Sequence, residues 1–210
     1  MNKKVLLGLT LGLSLSTAAA CAAPLEDYSA GKAEVNVGTT LAPAMATSHN
    51  GQTDKGSVKN RIEGGATVGL GHKMAFQFKY VDNQQKPNSN EFNMRTQEYN
   101  LRYKVDKNLS AYVGQMHARF EAKGFGNATR NTLQAGVQYE TKLGKNVTGW
   151  AGMGFGSNLQ HYELGVGYAL TQNIDLDLSY QYTQVKDFHI AGTNVDSTGK
   201  GLYAGLSFKF

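Results

Sequence analysis

The run Tyr162-Glu163-Leu164-Gly165-Val166-Gly167-Tyr168-Ala169-Leu170-Thr171-Gln172-Asn173-Ile174-Asp175-Leu176-Asp177-Leu178-Ser179-Tyr180-Gln181-Tyr182 decides the fold. On each side of Thr171-Gln172-Asn173, every second residue is large and apolar or aromatic. The residues between are charged, polar or small. A period of two sorts side chains onto the two faces of a strand, whereas a helix needs 3.6. Two such runs joined by three polar residues predict an antiparallel hairpin.

The same alternation recurs outward from this hairpin. It runs through Ile62, Ala66, Val68 and Leu70; Met74, Phe76, Phe78 and Tyr80; Tyr99, Leu101, Tyr103 and Val105; Leu133, Ala135, Val137 and Tyr139; and Leu202, Ala204, Leu206, Phe208 and Phe210. Three more joins repeat the tight form, with Gly71-His72-Lys73, Asp106-Lys107-Asn108 and Gly144-Lys145-Asn146 between apolar residues. Gly and Asn tolerate the positive φ of such turns. The alternate connections, 43–57, 83–93, 121–129 and 186–197, read as longer polar loops, and 157–160 as a short one. Short turns at one end and mostly longer loops at the other mark an outer-membrane barrel.

Four turns and five loops join ten strands, at 32–42, 59–70, 74–82, 94–105, 109–120, 130–143, 147–156, 160–170, 174–185 and 199–210. The predicted fold is all-β: a single up-and-down antiparallel transmembrane β-barrel of ten strands, with eight as the alternative count. An even count puts both termini on the tight-turn side, the periplasm. Two phases stay open. In 109–120 one phase makes Gln115 and His117 apolar-facing and the other Tyr112, Met116 and Phe120, which a bulge would reconcile. In 147–156, Trp150 falls on the polar side.

Periodicity alone allows a soluble, lipocalin-like barrel with its apolar face inside. Three features favour apolar outside. Gly65, Gly69, Gly136, Gly165, Gly167, Gly205 and Ser207 make the polar face small, as a confined lumen requires. Its charges balance one for one: Lys32, Arg61, Lys79, Arg102, Lys104, Lys142 and Lys209 against Glu34, Glu63, Glu98, Glu140, Glu163, Asp175 and Asp177. The core of this expected lumen network is Arg61, Glu63, Glu98, Arg102, Lys104, Glu140 and Glu163, since a closed interior demands mutual pairing. Lastly, Tyr80, Tyr99, Tyr162, Tyr180 and Tyr182 collect near one end and Tyr103, Tyr139, Tyr168, Phe208 and Phe210 near the other, as two interfacial girdles.

The first residues address the chain to export. Lys3 and Lys4 precede an apolar run from Val5 to Leu15 and a small-residue stretch, the pattern of a signal peptide. Cleavage after Ala20-Cys21-Ala22 is expected, so that 1–22 is signal peptide and 23–210 the barrel domain. Lipidation of Cys21 is the alternative. Losing Lys3 and Lys4 lowers the formal net charge from +5 to +3, too even to imply a nucleic-acid partner. Outer-membrane lipid is the expected surrounding, with an extracellular ligand open.

The terminal run Gly201-Leu202-Tyr203-Ala204-Gly205-Leu206-Ser207-Phe208-Lys209-Phe210 resembles the last strand of outer-membrane barrels, and the whole chain resembles the small, porin-like families of that class. The resemblance implies that Phe208 and Phe210 form the signal read by the barrel-assembly machinery, and that the protein resides in the bacterial outer membrane. It implies no activity.

Candidates for chemistry are few. Ten-stranded omptin proteases use acidic residues and a His near the outer rim, and here His161 stands two residues from Glu163 on one face, near Ser157. A His–carboxylate pair there would polarise water, as a protease or lipid-modifying enzyme requires. The paired-aspartate rim signature of omptins is absent, and a non-enzymatic barrel is the primary expectation. His49, His72, His117 and His189 are isolated, and no metal-ligand spacing or cofactor motif occurs; Gly152-Met153-Gly154-Phe155-Gly156 lacks the following helix that a phosphate site needs.

Overall fold

The computed structural model describes residues 24–49, 51–85, 92–123 and 126–210; the expected signal peptide, with Cys21, lies outside the described residues. The described residues form ten strands: β1 Ala33–His49, β2 Gln52–Gly71, β3 Met74–Gln85, β4 Phe92–Lys104, β5 Leu109–Ala122, β6 Gly126–Lys142, β7 Val147–Gly156, β8 Leu159–Ala169, β9 Ile174–Ile190 and β10 Thr193–Lys209. Each pairs antiparallel with its sequence neighbours, and β1 pairs with β10 to close the barrel. Ten strands, rather than the alternative eight, form the wall. Phe210 completes the seam: its N–H donates to the Ala33 carbonyl at 2.8 Å and its carbonyl accepts from the Ala33 N–H at 3.2 Å. A closed ladder leaves no unpaired edge, which is what lets strands cross a bilayer.

The apolar face points outward through the middle of the barrel. Leu133 is 78% exposed and Leu164 66%, while Glu63 on the opposite face is fully buried. This is the reverse of a soluble barrel. It matches a wall facing hydrocarbon, with Tyr99, Tyr162 and Tyr180 outward at one end and Tyr103, Tyr139 and Tyr168 at the other.

Three of the tight turns share one geometry. The N–H groups of Val105, Leu143 and Leu170 each donate at 2.9 Å to the carbonyl four residues on, at Leu109, Val147 and Ile174. At two of these turns the recurring Asn adds a side-chain bond across the wall: Asn108 Nδ2 donates to the Glu140 carbonyl at 2.6 Å and Asn173 Nδ2 to the Lys209 carbonyl at 2.8 Å. The carbonyls of Asn108, Asn146 and Asn173 accept from Glu140, Ala169 and Lys209 on the next hairpin, each at 2.8 Å, tying neighbouring turns together. The first turn differs: Gly71, His72 and Lys73 all have positive φ, at 83°, 52° and 64°.

Three of the expected long loops are mostly strand instead, and most of the fourth, 83–93, lies outside the described residues. The segment read as loop 43–57 continues β1 to His49 and resumes β2 at Gln52, and 186–197 is a hairpin turning at Ala191-Gly192, both with positive φ. A strand of 17 residues is roughly 56 Å long at ~3.3 Å per residue, far beyond the ~9–11 residues that cross a bilayer. The surplus lies at the end away from the tight turns, where β2, β1, β10 and β9 remain paired. Outside the bilayer a polar segment still has backbone groups to satisfy, and continuing the ladder satisfies them.

Both open phases resolve without a bulge in β5 or β7. The register of β5 with β4 and β6 is unbroken. Leu109, Ala111 and Val113 face outward, while Met116, Ala118, Phe120 and Ala122 on the other face are buried inside. The bulges occur elsewhere, and they carry the same inversion. In β1 the register shifts between Leu41 and Ala44, at Pro43, which has no N–H to lose from the ladder. In β9 it shifts at Lys186-Asp187, where Asp187 has φ 59° and its N–H is taken by Asp196 Oδ1 at 3.0 Å. Each bulge reverses the facing of the residues beyond it, so Met45, Phe188 and Ile190 enter the interior. In β7, Trp150 faces the lumen.

Candidate functional site

Above the bilayer band the barrel is built inside out relative to its middle. Met45, Met94, Met116, Phe120, Leu159, Val185, Phe188, Ile190 and Val195 form one buried apolar cluster inside the barrel end. The outer face there is polar: Gln115, His117, Arg119 and Glu121 alternate with the buried residues of β5. Arg119 Nε and Glu121 Oε1 pair at 2.7 Å, and His117 Nδ1 meets Asn131 Oδ1 at 2.6 Å. Water outside and a closed interior inside demand this pattern, just as hydrocarbon outside demands the opposite one below. The cluster packs inside the barrel like the core of a small soluble protein.

Beneath it the lumen is polar and filled. Arg61 Nε lies 2.5 Å from Glu63 Oε1, and its guanidinium also donates to Gln181 Oε1 at 3.1 Å. Lys79 Nζ approaches Glu163 Oε2 at 3.6 Å, and Trp150 Nε1 donates to Glu163 Oε1 at 2.7 Å. Lys104 pairs with Glu140. Two members of the expected network make their hydrogen bonds with amide and hydroxyl groups. Arg102 donates to Ser110 Oγ at 3.0 Å and to Gln138 Oε1, with its guanidinium 5.9 Å from the Tyr112 ring centroid. Glu98 accepts from Gln134 Nε2 at 2.9 Å. Gln134 and Gln138 are therefore part of the network, although the balance of charges gave no signal for them.

Glycine makes room for the large rings. Gly165 faces Trp150 so closely that a Cβ there would enter the indole ring, and Gly136 and Gly154 stand in the same relation to Tyr112. Tyr203 lies over Gly38 and Gly205. The small-residue stripe thus packs under aromatic side chains. The hollows beside His161 measure about 10 Å³ each, near the minimum for one water.

The tight-turn mouth is covered by the segment before β1. Leu25 and Tyr28 are buried there, Tyr28 beneath Lys104 with Nζ 5.1 Å from the ring centroid. The Tyr28 carbonyl accepts from the Gly71 N–H at 2.9 Å, and Glu26 pairs with Lys142. Hydrogen bonds from Ser29 hold the Asp27 carboxyl below its ordinary range. Asp27 and Glu26 therefore set anionic groups in a mouth that also carries Lys32 and Lys142. Lys142 is exposed and turned to this segment rather than to a lumen acid. Lys209 pairs with Asp175 at 2.5 Å.

The His161–Glu163 pair forms, with Nε2 3.7 Å from Oε2, but deep in the lumen rather than at the rim. His161 Nδ1 is engaged with Thr183 Oγ1 at 2.9 Å, Leu159 of the apolar cluster lies above, and Ser157 is in an exposed turn. Among the described residues no group of His, Cys, Asp or Glu is arranged to hold a metal ion.

A closed ten-stranded antiparallel barrel, apolar where it meets hydrocarbon and polar within, defines a bacterial outer-membrane β-barrel. The chain belongs to the outer membrane protein beta-barrel domain family, whose model matches residues 9–210. Among solved structures it is similar to the outer membrane protease OmpT of Escherichia coli, at 10% identity and TM-score 0.52, covering 85% of this chain and 97% of that one. It is also similar to Neisserial surface protein A, at 20% identity and TM-score 0.44 over 85% and 96% of the two chains. The attachment invasion locus protein Ail of Yersinia pestis matches at 11% identity and TM-score 0.38, over 85% and 98%. No curated protein matches the sequence significantly. These likenesses show the fold; OmpT shares the barrel without bringing its activity to this chain.

Proposed function

We propose that the protein is a non-enzymatic barrel of the outer membrane, closed to solutes, whose polar hairpin rim outside the cell is its working surface. The observation that carries this reading is the apolar cluster around Phe120 and Phe188, which crosses the interior above the polar lumen. An apolar, close-packed layer has no path for hydrated ions, and paired charges below it resist rearrangement because a broken buried pair costs about 3–5 kcal/mol. The extended hairpins project beyond the bilayer with polar outer faces, suited to a polar extracellular ligand. The tight turns then lie in the periplasm, and Phe208 and Phe210 in the closing strand are the signal for the assembly machinery. Burial of His161 beneath the same cluster argues against the rim-enzyme alternative. A liposome-swelling assay tests the reading: vesicles carrying the refolded protein should swell in small sugars no faster than empty ones. Swelling that depends on sugar size would replace it with a porin.

A further inference from the structure

We propose that residues 24–30 are a hinged latch over the tight-turn mouth, which lifts from the folded barrel and opens the lower lumen to water while the apolar layer at the other end stays packed. The hinge is a four-residue turn, closed by the Lys32 N–H on the Ser29 carbonyl at 3.1 Å. Gly31 stands third in that turn with φ 90°, a position where a positive φ calls for glycine, and nothing lies within 4 Å of the place its Cβ would take. Beyond this unpacked joint β1 begins, fixed on both sides by its ladders.

The wall is shaped to receive the segment. A Cβ on Gly69 would lie 2.3 Å from the Ser29 carbonyl oxygen, so glycine there lets the latch come down. Gly71 turns its N–H to the Tyr28 carbonyl at 2.9 Å, at the start of the turn in which His72 and Lys73 also hold positive φ. Ala75, fully buried, packs with Leu25 and Tyr28. From this seat the segment reaches the strand half-way round the wall, where Glu26 pairs with Lys142 of β6.

What holds the latch down is slight. Among the described residues, Gly71 N–H to Tyr28 is the one backbone hydrogen bond between 24–30 and the wall. The Glu26–Lys142 pair is exposed, and such pairs hold weakly. The Tyr28 hydroxyl is buried with no hydrogen-bond partner among the described residues, so seating leaves dry a polar group that lifting returns to water. Hollows of about 380 and 540 Å³ flank the segment, and Glu26 and Asp27 line both. A free joint, a weak far anchor and open space on each side give the segment two positions. Lifting bares Ala75 and the Lys104–Glu140 pair.

Thiol reactivity tests the latch, on protein matured in cells and purified in detergent. Every variant carries Cys21→Ser, so that an introduced cysteine is the only one. Ala75→Cys should react with a charged methanethiosulfonate far more slowly than Lys145→Cys in its exposed turn, yet to completion on the folded barrel. Ala118→Cys, buried in the apolar layer, should stay unreacted. Glu26→Gln, which frees the far anchor, should speed the reaction of Ala75→Cys about two- to fivefold, and Tyr28→Ala at least about tenfold. Gly69→Ala, which changes no latch residue, should speed it too by blocking the seat. A heat-modifiable gel shift confirms that each variant is folded. An Ala75→Cys that stays unreacted with the latch intact makes the segment a fixed cap and overturns the proposal. Reaction no faster than that of Ala118→Cys, the sign of whole-barrel opening, overturns it as well, as does a rate that none of the three substitutions changes.

Discussion

Phe120 of β5 and Phe188 of β9 meet inside the barrel, ring centroids 5.5 Å apart and tilted by 32°. The two strands are not neighbours in the wall. Their contact therefore spans the interior, with the same kind of packing that holds a soluble core together. One end of the chain's single barrel folds by the rules of water and the rest by the rules of hydrocarbon.

Truncating this contact should loosen the outer end without dissolving the barrel. Phe188→Ala removes a buried aromatic ring, a change that typically costs about 3–5 kcal/mol. Urea unfolding of refolded protein should register a loss of that order. Hydrogen exchange should rise first in the upper residues of β5, β9 and β10, and far less around Asp175 and Glu140. Uniform loss of protection along the barrel would mean that the apolar layer is not a separate packing unit.

Gly165 should be intolerant for a stated reason. A Cβ there would collide with the Trp150 ring, so Gly165→Ala should destabilise by about 1–3 kcal/mol through overpacking. Combining it with Trp150→Leu should recover part of that loss, because the smaller side chain vacates the space. Additive losses in the double variant would show that the two positions do not share it.

Lys104→Met tests the lower lumen. It leaves Glu140 buried without its cation, at a cost of about 3–5 kcal/mol, and chemical unfolding should show most of it. Replacing both partners, with Glu140→Leu added, should restore much of the stability. Arg102→Ala removes hydrogen bonds to the neutral Ser110 and Gln138 instead of a direct ion pair, and a loss of about 1.5–3 kcal/mol for each such bond to a charged group is expected.

Deleting Phe210 should reduce the folded yield in the outer membrane, because it removes both the exposed terminal aromatic and the two hydrogen bonds that join the seam to Ala33. A substitution at His72 should leave the yield unchanged. Equal yields would separate Phe210 from assembly. A tag beside Asn194 should be reachable on intact cells and one beside Lys145 should not, which fixes the orientation.

The strand count, the tight turns and the outward face were legible in the sequence, because hydrocarbon enforces strict alternation from Leu202 to Phe210 or from Tyr162 to Leu170. The long loops were not. Alternation in 43–57 and 186–197 is interrupted by bulges, and a bulge reverses which face a residue takes without altering the residues themselves. Phe188 and Ile190 keep the same sequence phase as Leu176 and Leu178, yet point inward because of Asp187. In β5 the residues themselves carry the signal: Val113 and Met116 belong to opposite phases, and the switch marks where the bilayer ends. The lumen charges were legible as a balanced set, but their pairing was not, because Gln134 and Gln138 satisfy Glu98 and Arg102 as neutral partners. His161 and Glu163 were legible as a pair; their depth came from Leu159 and its neighbours and not from spacing.

Planar-bilayer recording tests the closed lumen most directly. Refolded wild-type protein should give no steady current, only small and intermittent openings, and Phe120→Ala/Phe188→Ala should raise the conductance by opening the apolar layer. A large, steady and strongly selective current from the unmodified protein would contradict the closed barrel and make it a dedicated channel.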